Sequence, residues 1–493
     1  MLLAASTQRT IGLVILAIVL IGGLVYILFN ILAARDEVGS EIELAANRRP
    51  YVDDEELEGR TLDLALGWSL VLLTIVAISL PLYWLGEPGR HQGRIDDSHR
   101  IFADRGGELY NGGAQCVNCH GADGAGGSVN TVITTESGDF IAQVNWKAPA
   151  LDTVLSRFTE DEVLHTLNFG RNGVMPAWGA PGGGPLTQQQ LQEIIFYLRR
   201  IQIDEETIHE QVSAGVRSGV EDLLLGESDE DWAVEVRGAE EAKSATAHEV
   251  RLAGRADFDF SCTDNDADVC VADTDAGAAL LAAQGAAQAP LAEAVDDWLD
   301  EATAVRELAW EMALDSDSTL DDPGNEQLWR NAAVQLLSIP GGVPGQERFQ
   351  QYGEILFTNQ AASGTYSCAR CHTFGWSYDA TSELTIEDNG HDGVLLDEYV
   401  QGGGFFGPSL VDGNTLDQFE TAGSHAAFIG DGQTIGVTYG RGGSGGNGQM
   451  PGFGANTESN PIGPGFTTAS EFSYPALLTE EQIDAIVAFE RNL

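Results

Sequence analysis

From Ile11 to Ala34 the chain is apolar apart from Asn30, long enough to cross a hydrocarbon core as a helix, and Arg35, Asp36 and Glu37 then end the run. A cleavable leader has a shorter apolar core and a small-residue cleavage site, so the pattern predicts a retained anchor. A second apolar run extends from Leu64 to Leu85. It carries Pro81 near its end, where a break costs least, and Trp68, Tyr83 and Trp84 near its ends, where interfacial aromatics belong. Together the runs predict a two-helix transmembrane hairpin over residues 1–97, with spans at about 11–34 and 64–85, inserted in a lipid bilayer.

Beyond Leu85 the periodicity becomes that of amphipathic helices. In 98–203 a helical run, His99 to Asn111, precedes a glycine-rich loop. A closing helix then carries Leu191, Ile194, Ile195 and Leu198 on one face, with Thr187 as its N-cap. The order recurs in 344–493, with a run from Gln346 to Asn359 and a closing helix whose apolar face is Ile483, Ile486 and Val487. Thr479 and Gln482 there fit a capping box. The second copy has a glycine-rich insertion, Gly402 to Gly448, that neither period explains. Between the copies, 204–343 is acidic and alanine-rich; Leu291 to Leu314 reads as helix, and the remainder fits an ordered subdomain or a solvated linker. The fold class expected is mainly α.

Charge narrows the partners. The 493 residues carry 25 Lys+Arg against 75 Asp+Glu, a formal net charge of -50, and Lys147 and Lys243 are the only lysines. Nucleic acid is excluded, because a phosphate backbone needs clustered cations. A basic redox protein is a partner such a surface could steer; general solubility or adaptation to salt explains the same charge.

The chemistry lies in the six cysteines. Cys116, Cys119 and His120 form one Cys-x-x-Cys-His run, and Cys368, Cys371 and His372 form another. In such a run two thiols add across haem vinyl groups and the adjacent imidazole becomes an iron ligand, so the expected cofactors are two haem c groups. A zinc site would need a second ligand pair beside each run, and none is near in sequence. Beyond the initiator, the methionines are Met175, Met312 and Met450. Met175 and Met450 sit in near-repeats, Gly173-Val-Met-Pro-Ala-Trp-Gly179 and Gly448-Gln-Met-Pro-Gly-Phe-Gly454, each between its haem run and its closing helix. They are the candidate sixth ligands; Met312 reads as core. His165, His391 and His425 occupy the same intervals and are the alternatives for a bis-His haem.

With these residues in place, 98–203 and 344–493 resemble class I c-type cytochromes, in which three to five helices wrap a haem. In that family a Pro-x-Leu segment lies between the two ligand motifs and its proline carbonyl orients the proximal histidine. Pro149-Ala-Leu151 and Pro408-Ser-Leu410 match it. The resemblance implies haem attachment outside the cytoplasmic membrane, which fixes an orientation that the arginine distribution leaves open. A six-coordinate His/Met iron has no open position, so one-electron transfer, with no catalysis by this chain alone, is the expected activity.

Arg48-Arg-Pro-Tyr and Leu82-Tyr-Trp-Leu-Gly-Glu-Pro-Gly-Arg90 also look like membrane cytochromes of actinobacterial respiratory chains. That likeness implies a subunit of a bc-type quinol:cytochrome c reductase beside cytochrome b and a Rieske-type protein. The alternatives are the dihaem subunit of a cbb3-like haem-copper oxidase and a dihaem peroxidase. Cys262 and Cys270 enclose an acidic loop and are the disulfide candidate, consistent with an oxidising compartment. The alternating Asp264, Asp266 and Asp268 suggest calcium, but Val269 stands where a calcium loop needs glycine.

Overall fold

The structure, a computed structural model, describes residues 7–34, 57–134, 140–171, 174–227, 275–316, 326–378, 400–433, 438–439, 441, 444–445, 449–454 and 474–493. It is mostly helical and divides into two units, Met1–Gly93 and Arg94–Leu493. Cys262, Cys270, His391 and the acidic loop lie outside the described residues.

The first unit holds helix α1, Thr7–Ala34, and the beginning of α2, Leu62–Glu108. Within α2, Leu62–Gly86 is long and apolar enough to cross a membrane, and its side chains face outward, with Leu85 79% exposed. Such a row of leucines is unfavourable in water and suits hydrocarbon. The apolar stretch described in α1, Leu20–Phe29, is shorter.

The helix does not break where a break would cost least: α2 runs through Pro81 and Pro88 to Glu108. Each proline forfeits one ladder hydrogen bond and crowds the preceding turn, yet the helix continues through both. Across that turn the Arg90 guanidinium lies 3.7 Å from the Tyr83 ring centroid.

In the second unit, the residues after α2 form the one-turn helix α3, Val117–His120, and an antiparallel hairpin, β1 (Gly127–Thr134) with β2 (Phe140–Ala148). The hairpin stands where the glycine-rich pattern predicts a loop. Its alternating, β-branched residues around Val129, Val132 and Val144 carry the signal. Helices α4 (Val154–Arg157), α5 (Glu160–Phe169) and α6 (Gln188–Ile201) follow. Thr187 caps α6 in a reciprocal capping box with Gln190, and the Leu191, Ile194, Ile195, Leu198 face is buried against Leu155 and Leu167.

The acidic segment contributes α7 (Glu205–Glu227), α8 (Asp275–Ser316) and α9 (Glu326–Leu337). Their apolar faces, with Val212, Val295 and Leu337, share one core with α10 (Gln346–Phe357) and the closing helix of the chain. Met312 packs partly buried on this core. After α10 come α11 (Ala369–His372), α12 (Asn414–Gln418), α13 (Ala422–Asp431) and α14 (Glu480–Glu490), the last capped by Thr479 with Gln482.

The same close crossing occurs twice. A Cβ on Gly106 of α2 would lie 1.9 Å from the Glu193 carbonyl oxygen of α6, and one on Gly353 of α10 would lie 2.0 Å from the Ala485 carbonyl oxygen of α14. Each glycine lets an opening helix touch the backbone of a closing helix, and Tyr197 and Phe489 pack at the respective crossings.

Candidate haem centres

Each Cys-x-x-Cys-His run is built on a single helical turn. Cys116 is the N-cap of α3 and its carbonyl accepts from His120 N at 2.9 Å; Cys368 is the N-cap of α11 and accepts from His372 N at 3.0 Å. The turn therefore presents two sulfurs and an imidazole together. Both histidines are buried, and each places Nδ1 2.8 Å from a proline carbonyl, His120 against Pro149 and His372 against Pro408. A carbonyl only accepts, so Nδ1 carries the proton and Nε2 keeps its lone pair for a metal. Burial also lowers the pKa of His120, favouring that neutral form. Burial pushes the Cys116 thiol up to about 11 and raises those of Cys368 and Cys371. As free thiols they would be poor nucleophiles in the folded chain.

The two methionine loops are held alike. Helix α5 ends at Gly170, whose φ is 77°, and the chain returns so that Arg171 and Met175 exchange main-chain hydrogen bonds at 3.0 and 3.1 Å. Helix α13 ends at Gly432, φ 69°, and Gln433 N donates to Met450 O at 2.9 Å. Trp178 N then reaches Leu167 O in α5 at 2.9 Å, and Phe453 N reaches Ile429 O in α13 at 3.1 Å. Side chains at both glycines would collide with the returning Met-Pro loop, 2.4 Å from Met175 O and 2.4 Å from Gly452 N.

All eight candidate residues, Cys116, Cys119, His120, Met175, Cys368, Cys371, His372 and Met450, line a single cavity of about 1010 Å³. That is the upper end of the range for a small-molecule site, and its wall is mainly apolar, as a porphyrin face requires. The two halves meet through direct bonds: Ala150 N donates to Thr365 Oγ1 at 2.9 Å and Gly452 N to Arg157 O at 3.0 Å. Among the described residues no group of three or more His, Cys, Asp and Glu side chains could hold a bare metal ion.

Of the alternative histidines, His165 is exposed on α5 beside Phe169 and does not line the cavity. His425 does line it, buried on α13; its Nε2 lies 3.0 Å from Glu490 and its ring stacks on Phe419 at 4.8 Å. Arg157, Arg171 and Arg370 also line the cavity, and the sequence pattern does not single them out. Isolated arginines have no diagnostic spacing, and only Arg370, inside Cys-Ala-Arg-Cys-His, sits in a recognisable motif.

The cavity fits haem in its donors and its charge. It supplies paired sulfurs, imidazoles with free Nε2, and cations for an anionic ligand, and Arg157 Nε is buried with no hydrogen-bond partner among the described residues. No curated protein and no solved structure matches the chain. Residues 102–198 match the family model described as Cytochrome C oxidase, cbb3-type, subunit III, an interval that contains Cys116, Cys119, His120, Pro149 and Met175. The chain thus carries a c-type cytochrome domain, whose cofactor is haem c and whose chemistry is electron transfer.

Proposed function

We propose that this chain is a membrane-anchored dihaem cytochrome c that relays single electrons between partners of a respiratory chain. The observation that carries the proposal is the shared cavity: two haem-binding runs, two proline carbonyls on histidine Nδ1 and two Met-Pro loops open onto one space. Haem iron, when bound, supplies a one-electron ferric/ferrous couple. Nε2 of His120 and of His372 would hold the iron on one side, and the thioethers of Met175 and Met450 on the other. A thioether is soft, so it favours the ferrous state and raises the potential. With both axial positions filled, peroxide has no place to bind, which disfavours the peroxidase reading.

In this reading α1 and the Leu62–Gly86 part of α2 form a two-span anchor in the cytoplasmic membrane, with residues after it extracytoplasmic. The setting is a bc-type quinol:cytochrome c reductase beside cytochrome b and a Rieske-type protein. A second reading, the dihaem subunit of a cbb3-like haem-copper oxidase, draws on the description of the matched family.

Isolation of the chain from native membranes tests both levels. Two covalent haems per chain, each with a reversible one-electron couple and low-spin six-coordinate spectra, are expected. One haem per chain, or a five-coordinate haem with rapid peroxide turnover, would overturn the relay. Co-purification with cytochrome b and a Rieske protein supports the reductase, and co-purification with a haem-copper subunit supports the oxidase.

A further inference from the structure

Three arginines meet where the halves of the cavity join. Arg157 closes α4, Arg171 begins the Met175 loop, and Arg370 lies between Cys368 and Cys371. Two of them cross the junction. Arg370 donates to the carbonyls of Lys147, at 2.6 Å, and of Ser363; Arg171 donates to the Gln449 carbonyl, next to Met450. Arg157 donates to Ala150 O at 2.6 Å, and its Nε is left without a hydrogen-bond partner.

Arg157 is buried and Arg171 and Arg370 are half-buried, and drawing three guanidinium groups together partly out of water is costly unless anions accompany them. Burial, and then its neighbours Arg171 and Arg370, lower Arg157 to about 9. Among the described residues no carboxylate makes an ion pair with any of the three. The nearest acids are Asp152, which acts on Arg157, and Glu162, which acts on Arg171. Glu162 is committed to the α5 capping box, accepting from Thr159 N at 2.9 Å, and burial pushes the Asp152 carboxyl up to about 6. Two carboxylates that form no ion pair thus stand against three guanidinium groups, and the cluster keeps an excess of positive charge. Its donors remain in the cavity wall beside both Cys-x-x-Cys-His runs.

We propose that Arg157, Arg171 and Arg370 form one shared clamp for the propionate carboxylates of both haems, coupling the two redox sites electrostatically. The inference rests on the dihaem reading. Planar guanidinium groups suit bidentate carboxylate binding, which makes charge-assisted pairs about twice as strong as neutral hydrogen bonds. Because the clamp belongs to both halves, each arginine acts on both irons. A cation near an iron disfavours its ferric state, so the clamp raises both potentials, and oxidation of one haem is felt at the other.

Optical redox titration of the purified full chain tests this, with covalent haem counted for each variant. In Arg171→Gln both midpoint potentials are expected to fall, each by about the ~59 mV that corresponds to a tenfold change in a one-electron equilibrium. Arg171→Lys, which keeps the charge, should recover most of the loss. Arg370→Gln should likewise lower both. If the Gln variants fail to assemble, the two Lys variants carry the test, with both potentials expected to shift downward together by less. Potentials that stay put in a two-haem variant, a shift at one haem only, or Lys variants displaced as far as Gln would each overturn the clamp while leaving the relay intact. Fewer than two haems on the wild-type chain would overturn the dihaem reading and the clamp with it.

Discussion

The Arg370 side chain donates a 2.6 Å hydrogen bond to the main-chain carbonyl of Lys147, which joins the second Cys-x-x-Cys-His turn to the strand that leads into Pro149. Pro149 in turn fixes the His120 imidazole. A residue between Cys368 and Cys371 thus bears on the segment that orients the other candidate iron ligand. The two centres form a joined structure, and mutations in one half are expected to have measurable effects in the other.

The proposed sixth ligands, Met175 and Met450, can be separated by substitution. Met175→His and Met450→His replace a soft thioether with a harder imidazole, which should stabilise ferric iron. Axial ligands move haem potentials over a range of ~0.8 V, so a drop on the order of 0.2 V at the altered haem is expected. A potentiometric titration should show one couple displaced strongly and the other weakly. Equal displacement in both variants would argue against one methionine per iron.

The glycine crossings should resist even the smallest side chain. In Gly106→Ala and Gly353→Ala the added methyl meets backbone oxygen at 1.9 and 2.0 Å, so the helices must separate. Overpacking of this kind costs ~1–3 kcal/mol. Urea denaturation followed by far-UV circular dichroism should show lowered midpoints for both variants. Gly112→Ala, with open space around its Cβ position, is the control expected to change little.

Asp152 gives a pH signature. Its carboxyl is lifted by burial from 3.8 to about 6, against the pull of Arg157. The folded chain therefore holds that proton more tightly than the unfolded chain does. This contribution to stability is full below pH 4 and is lost as pH rises through 6. Asp152→Asn should be the more stable protein at pH 7 to 8, by on the order of 1–2 kcal/mol, and the advantage should vanish as pH falls to 4. Urea midpoints at several pH values measure it. An advantage independent of pH would show that Asp152 is not the titrating group.

The candidate ligands were legible because haem attachment imposes fixed spacing, and because with so few methionines in the chain the repeated Met-Pro setting stands out. The closing helices were legible from Thr187 and Thr479 as caps and from an apolar stripe. Other features depend on contacts between distant residues. Arg157, Arg171 and Arg370 converge only after folding, since they are spread over more than two hundred positions. The β1–β2 hairpin was hidden by its glycine-rich surroundings, and the continuity of α2 by two prolines whose cost a long helix absorbs. The alternatives open for 204–343 were an ordered subdomain and a solvated linker; acidity and alanine content do not reveal that Val212, Val295 and Leu337 share a core with α10 and α14.

That shared core has a polar anchor that can be tested directly. Asp484 of α14 is fully buried, and it accepts from Arg306 of α8 at 2.9 Å and from Arg330 of α9 at 2.9 Å. Burial raises its pKa while the two arginines oppose the rise, so the carboxylate depends on both partners. Removing it leaves Arg306 without its ion-pair partner and Arg330 with only the exposed Glu480, at 3.1 Å, a loss of ~3–5 kcal/mol when one member of a buried pair is deleted. Asp484→Ala should therefore lower the unfolding midpoint steeply and loosen α8 and α9 together, which hydrogen exchange can localise. Arg306→Ala and Arg330→Ala should each cost less, because Asp484 keeps the other arginine. If Asp484→Ala changed exchange only in α14, the acidic segment would be an appendage of the haem-binding unit, not part of its core.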